Sequence, residues 1–200
     1  MNQPLGRSIG IVCVLAASFF HPAIASSAAE TKESGQRDHG APLARPLVDP
    51  KIVVSKSKRR LQLYSAGRVV RTYRVGLGLI PVEDKVRARD RRTPEGEFFI
   101  YLKNAHSQFY LSLGLSYPNQ QHADRGLRDG LITRAQYDQI VGALKRRRAP
   151  LQNTRLGGEI FIHGNGSQSD WTWGCVALDD KDIRELFDAV PVGTPVTIEH

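Results

Sequence analysis

The 200-residue sequence predicts a mainly β protein, a sandwich or barrel with two or so helices. Three observations lead there. From Lys51 onward, short runs rich in β-branched and aromatic residues recur between Gly- and Pro-containing turn signals. Only two stretches carry the i, i+3, i+4, i+7 apolar spacing of a helix. Hydrophobic content of 40% and charged content of 24% are those of an ordinary globular chain, long enough to bury a core. Two cysteines exclude a disulfide-dense scaffold and cysteine-rich zinc modules.

Residues 1–25 read as a signal peptide. Arg7 supplies a positive start, Ile9 to Phe20 is uncharged and apolar, and Ala23-Ile24-Ala25 fits a small-residue cleavage site. The apolar run is shorter than the roughly 20 residues of a membrane span, so no stable span is expected after cleavage. The chain is therefore expected to be exported across a membrane. Residues 26–50 lack aromatics and are rich in Ser, Ala, Gly, Pro and charge, the composition of a flexible linker. The domain is expected over 51–200.

Within it, Lys51 to Ser55 and Leu61 to Tyr64 are strand-like, Ala66-Gly67 is a turn, and Val69 to Val75 returns as a hairpin. Arg87 to Arg92 is a basic loop, followed by the turn Thr93-Pro94-Glu95-Gly96. Glu97 to Leu102 and Phe109 to Leu115 are further strands. Thr133 with Gln136 forms a capping box, and Tyr137, Ile140, Val141 and Leu144 continue the helix to about Arg147. Residues 122–158 form an insertion that either covers a cleft or stands aside as a subdomain. Glu159 to His163 is a short apolar strand, expected to be central. Asp179 or Asp180 caps a second helix bearing Ile183, Leu186, Phe187 and Val190, and Pro195 to Ile198 is a last strand.

Chemistry concentrates at His163 and Cys175. The histidine ends an apolar strand, and twelve residues later the cysteine follows Gly174 in a loop before a helix. Cleavage after Ala25 would leave Cys175 as the only thiol. A free thiol with a pKa near about 8.5 is a weak nucleophile at neutral pH until a neighbouring base takes its proton. Gly174 permits a tight turn, and the N–H groups of Trp173, Gly174 and Cys175 can point at a developing oxyanion. The Gly164 carbonyl is the nearest group to hold the imidazole tautomer. A buried structural cysteine beside a satisfied strand-end histidine fits the spacing equally. A zinc reading with His106 or His122 does not reproduce structural zinc spacing.

His163-Gly164, a variable loop, then Thr172-Trp173-Gly174-Cys175-Val176 resembles the ending of the L,D-transpeptidase catalytic-domain family (YkuD type) of bacterial cell-wall enzymes. Arg92-Thr93-Pro94-Glu95-Gly96-Glu97-Phe98 and Ser116-Tyr117-Pro118-Asn119 are similar to other family segments. The resemblance spans about Lys51 to His200 and implies a mostly β sandwich or barrel. It implies Cys175 as nucleophile, His163 as general base, Trp173, Gly174 and Cys175 as oxyanion donors, and Thr172 as a loop-shaping hydroxyl. Arg92 and Tyr117 are candidate substrate contacts. The implied substrate is a peptidoglycan stem peptide, with a second stem or a wall-attached lipoprotein as acceptor, which implies that the exported chain works beyond the inner membrane, in the periplasm or at the wall. Two positions depart from the family pattern: Trp173 stands where many members have His, and Ala177 where many have Arg or Asn. A hydrolase or amidase on the same Cys–His pair, and a non-catalytic wall-binding module, therefore stand as alternatives.

The formal charge is +8, and losing Arg7 with the signal peptide leaves 27 basic against 20 acidic residues. The runs at Arg87 to Arg92 and Lys145 to Arg148 read as a solvated basic surface or as attraction to anionic wall material. No nucleic-acid recognition motif, nucleotide loop or metal-ligand spacing occurs, so no nucleic acid, cofactor or metal is expected.

Overall fold

The computed structural model describes residues 43–200. The signal peptide and most of the linker expected from the sequence lie outside them. The eight linker residues that are described do not hang free. Leu43 and Leu47 pack on the core, and the Val48 carbonyl accepts from the Ala66 N–H at 2.6 Å. The linker therefore ends earlier than composition suggests, because its two leucines find apolar surface to bury.

Eight strands form one continuous sheet: β1 (Lys51–Ser55), β2 (Arg60–Ser65), β3 (Arg68–Arg74), β4 (Gly96–Ser107), β5 (Tyr110–Leu115), β6 (Phe161–His163), β7 (Val176–Ala177) and β8 (Pro195–Glu199). Their order is β3-β2-β1-β8-β4-β5-β6-β7. Alternation explains the pairing: Ile52 and Val54 of β1 face inward with Leu61 and Leu63 of β2. β4 is twelve residues long and serves two neighbours, β8 through 96–99 and β5 beyond, with register shifts that bend it between them. The two sheet ends then meet. Gly76, just past β3, exchanges hydrogen bonds with Ala177 of β7 at 2.9 and 2.8 Å, and Leu79 N–H reaches the Thr172 carbonyl at 3.1 Å. The sheet thus closes toward a barrel. β6 is next to the last strand of the order, not central as its apolar run suggested.

Three helices are described: α1 (Gln120–Arg128), α2 (Arg134–Lys145) and α3 (Asp180–Ala189). α2 has both arms of the capping box between Thr133 and Gln136. α3 inserts Ile183 and Leu186 into the main core, while Glu185 accepts from Arg71 Nε at 3.1 Å and Tyr73 Oη at 2.8 Å. α1 is the unexpected helix. It buries His122, Ala123 and Gly126, so its sequence carries no apolar stripe to announce it. α1 and α2 share a second small core of Ala123, Ile132, Ile140 and Leu156. Among the described residues no helix is long and apolar enough to cross a membrane.

Candidate active site

His163 ends β6, and Cys175 directly precedes β7, which runs parallel to β6 with His163 opposite Ala177. Strand pairing therefore brings two residues twelve apart in sequence to one end of the sheet. Both line a cavity of about 440 Å³, together with Phe109, Ser112, Glu159 and His106. Cys175 also lines a second cavity of about 330 Å³, with Trp173, Lys85, Arg89, Gln152 and Glu159. The nucleophile candidate thus faces two openings.

The imidazole is fixed on every side. Its Nδ1 lies 2.7 Å from the Gly164 carbonyl, which selects the tautomer with the proton on Nδ1 and leaves Nε2 basic. Phe109 stacks on the ring at 4.6 Å between centroids, and Trp171 meets it edge-on at 5.5 Å. Trp171 is held in turn by its Nε1–H donating to the Gly166 carbonyl at 3.0 Å. Burial pulls the His163 pKa below its usual value, and the Gly164 carbonyl opposes that only in part.

The thiol is half-buried. Burial pushes it up to about 11, while the Phe161 N–H, 3.4 Å from Sγ, works in the other direction. Sγ itself donates to the Glu159 carbonyl at 3.6 Å. Both shifts favour a neutral thiol beside a neutral imidazole in the free protein.

The loop before the cysteine is built by Thr172. Its hydroxyl donates to the Cys175 carbonyl at 2.8 Å and accepts from the Gly174 N–H at 3.1 Å. The Gly174 N–H is thereby occupied, which leaves Trp173 and Cys175 of the three expected oxyanion donors. Gly174 has φ +129°, and a Cβ there would sit 2.6 Å from the Arg92 carbonyl. Gly164 is equally confined, since a Cβ would lie 2.6 Å from Asp180 Oδ1 and 2.9 Å from the Phe109 carbonyl.

Two expected substrate contacts lie elsewhere. Tyr117 is fully buried, and its hydroxyl donates to the Leu156 carbonyl at 2.9 Å, so it is a core residue that ties the insertion to the barrel. Arg92 lines neither cavity of Cys175; its side chain lies 4.0 Å from Glu83, and its carbonyl presses on Gly174. Trp173, 59% exposed, lies under the Arg91 guanidinium at 4.8 Å. Ala177 is fully buried at the barrel closure, where an arginine would have no space. The insertion resolves into both expected parts: its helices pack aside, while Gln152, Thr154 and Gly157 form a wall of the smaller cavity.

Sequence reasoning missed the aspartates that hold the 164–171 loop. Asp170 takes Arg59 through both carboxylate oxygens and the Leu77 N–H at 2.9 Å. Asp180 accepts from the Asn165 N–H at 2.8 Å. Asp179 is the N-cap residue of α3, yet its carboxylate serves Ser167 and Gln168 instead of the helix. The doubled Asp at a helix start was the available signal. His106 lines the larger cavity, whereas His122 is bound to Asn119 at 2.6 Å and Asp84 at 3.3 Å. Among the described residues no group of three His, Cys, Asp or Glu side chains is arranged to hold a metal ion.

A family model described as the L,D-transpeptidase catalytic domain (YkuD) matches residues 49–198. The fold is also similar to solved structures. One is the helical cell shape determining protein Pgp2 from Campylobacter jejuni, in a point-variant form, with 21% identity and a TM-score of 0.53 over 77% of this chain. Another is an L,D-transpeptidase from Xylanimonas cellulosilytica, with 19% identity and a TM-score of 0.46, covering 80% of this chain and 64% of that one. This chain spans 48% of the Pgp2 chain, about half its length. No curated protein is similar enough to count as a relative.

Proposed function

The chain belongs to the L,D-transpeptidase catalytic-domain family, and from that premise we propose that it is an exported cysteine acyltransferase acting on peptidoglycan stem peptides. The observation that carries this reading is the pairing of Cys175 with a tautomer-fixed His163 on one cavity. The apolar segment Ile9 to Phe20 with its Ala-Ile-Ala end supports export to the periplasm.

The thiol proton passes to His163 Nε2 as Sγ attacks a stem-peptide carbonyl, forming the S–C bond and an oxyanion. The Trp173 and Cys175 N–H groups take the oxyanion charge. The intermediate collapses, the C–N bond breaks, and the imidazolium returns its proton to the departing amine. A thioester on Cys175 remains. An amine of a second stem then enters, gives its proton to His163, forms the new amide and releases the thiol. Two substrates need two approaches, and Cys175 lines two cavities.

The test is to incubate the purified protein with a carbapenem, a lactam that acylates active cysteines, and weigh it intact. A covalent adduct on wild type and none on Cys175→Ala is expected. No wild-type adduct, or an equal one on the variant, refutes the proposal and leaves the wall-binding module. Digestion of purified sacculi then separates transfer from hydrolysis, since transfer yields new cross-linked dimers and hydrolysis yields released residues.

A further inference from the structure

The loop 85–92 is the most basic segment beside the thiol, and its backbone is pinned from within. The Asp90 carboxylate accepts from the N–H groups of Val86 at 2.8 Å, Arg87 at 2.9 Å and Arg92 at 3.2 Å, and from the buried Lys85 ammonium at 2.7 Å. The Ala88 N–H donates to the Arg155 carbonyl at 2.8 Å, fastening the loop to the insertion. Arg89 and Arg91 both adopt left-handed φ, +62° and +58°. Side chains adopt that conformation uncommonly, and here it occurs twice within three residues. The loop's one acid is turned inward, and Arg87, Arg89 and Arg91 are exposed. Among the described residues no carboxylate pairs with Arg87 or Arg89. A merely solvated basic surface requires neither the internal carboxylate nor the strained backbone.

Arg89 lines the 330 Å³ cavity shared by Cys175 and Trp173, and also the adjoining cavity of about 780 Å³. Trp173 forms an exposed flat wall there, backed by Arg91. We propose that the Asp90-pinned loop is a carboxylate-binding subsite at the nucleophile, in which Arg89 holds the free carboxy terminus of the peptide being acylated onto Cys175. A guanidinium presents a planar fork that matches a carboxylate with two hydrogen bonds. In a stem tetrapeptide attacked at its third residue, as the family resemblance implies, the terminal carboxylate lies one residue, about 3.8 Å of α-carbon spacing, beyond the attacked carbonyl. A cavity that holds both the thiol and Arg89 suits that short reach. The ligand is thus a peptide ending in an uncapped residue, and that residue leaves when the thioester forms. The subsite rests on the acyltransferase reading and adds the substrate end that the chain selects.

The test compares alkylation of Cys175 by iodoacetate, an anion, and iodoacetamide, its neutral counterpart, read by peptide mass so that Cys13 does not count. Arg89→Gln should lower the iodoacetate-to-iodoacetamide rate ratio at least about fivefold, the factor one unit charge gives at contact distance in water. The iodoacetamide rate should hold. Arg148→Gln, an exposed arginine that lines neither cavity of Cys175 and changes net charge equally, should leave the ratio unchanged. Arg89→Lys, which keeps the charge without the fork, should retain most of the alkylation ratio. With tetrapeptide donors, wild type should prefer the free acid over the terminal amide, and Arg89→Lys and Arg89→Gln should both lose that preference through the acid alone. An unchanged alkylation ratio in Arg89→Gln, an equal drop in Arg148→Gln, or a thiol that reacts with neither reagent overturns the subsite. A lowered ratio with no turnover of either peptide keeps the subsite and overturns the acyltransferase reading instead.

Discussion

Replacing Gly174 by alanine adds one methyl group at the residue before Cys175 and exposes two separable costs. The first is conformational: φ is +129°, where an L side chain is strained by about 1–3 kcal/mol. The second is a collision with backbone, since the new Cβ would lie 2.6 Å from the Arg92 carbonyl oxygen and 3.2 Å from Ile160 Cδ1. The carbonyl belongs to a loop fixed by Asp90 and cannot swing away as a flexible side chain would. Overpacking of that kind costs about 1–3 kcal/mol. Together these give about 2–6 kcal/mol, or a fall in Tm of about 4–24 °C at about 2–4 °C per kcal/mol for a domain of this size. Gly130→Ala is the control, because its φ is +66° but nothing lies within 4 Å of the added Cβ. It carries the conformational cost without the collision. Thermal unfolding by calorimetry measures both. A Gly174 variant no less stable than the Gly130 variant refutes the collision and, with it, the packed geometry before Cys175. Carbapenem acylation of the folded fraction should also fall at least about 100-fold, because a displaced backbone at residue 174 moves the adjoining Cys175 N–H away from the oxyanion.

Other outcomes follow from the same geometry. Phe109→Ala removes the ring stacked on His163, so kcat should drop about tenfold or more with KM little changed, and a proportional KM rise instead would place Phe109 in binding. Lys56 is buried and donates to the carbonyls of Val82, Glu83 and Thr93 and to Glu95, so Lys56→Met should cost about 3–5 kcal/mol in denaturant unfolding, and a cost under about 1 would contradict that anchoring. The folded state holds the Cys175 thiol protonated up to about 11, so stability should decline as pH rises above the unfolded thiol's value near about 8.5, and Cys175→Ala should flatten that limb. His163 is held below its usual value, so its contribution is lost as pH falls below about 6.5. Asp84 is pushed up by burial but pulled further down by His122, the Glu95 N–H and Arg125, so its contribution is lost below about pH 4, and Asp84→Asn should remove that lower acid limb.

The strands were legible because their apolar residues alternate: Ile52 with Val54, and Leu61 with Leu63. α2 was legible from Thr133 and Gln136, whose capping box is local chemistry. α1 was not, because its buried face is made of His122, Ala123 and Gly126, and its start follows a Tyr-Pro-Asn that reads as a turn. β7 is only two residues long and exists through its partners, so no local pattern can mark it. Cys175, His163 and the Gly164 carbonyl could be singled out from residue type and adjacency. Phe109, Trp171 and Asp170 could not, since Phe109 arrives from the turn before the neighbouring β5, Trp171 by folding back of its own loop, and Asp170 is held by Arg59 and Leu77 across the closure. Tyr117 was misplaced for the same reason: a tyrosine in a turn looks available until the insertion covers it and supplies the Leu156 carbonyl.

Burial of Cys175 and His163 shapes how the proposed chemistry would run. The thiol is raised and the imidazole lowered, so the resting pair is uncharged, and a standing thiolate–imidazolium pair is disfavoured. In the proposed mechanism, charge separation is then deferred to the moment of attack. The Phe161 N–H lies at Sγ, where negative charge leaves the thiol, and the Gly164 carbonyl lies at Nδ1, where positive charge gathers on the ring. Each is fixed by backbone and needs no rearrangement. A resting thiol of this kind reacts measurably but slowly with adventitious electrophiles, at the rate its thiolate fraction sets. Specificity then belongs to whatever brings a carbonyl within reach of Sγ, and the pinned arginines and Trp173 stand at that entrance.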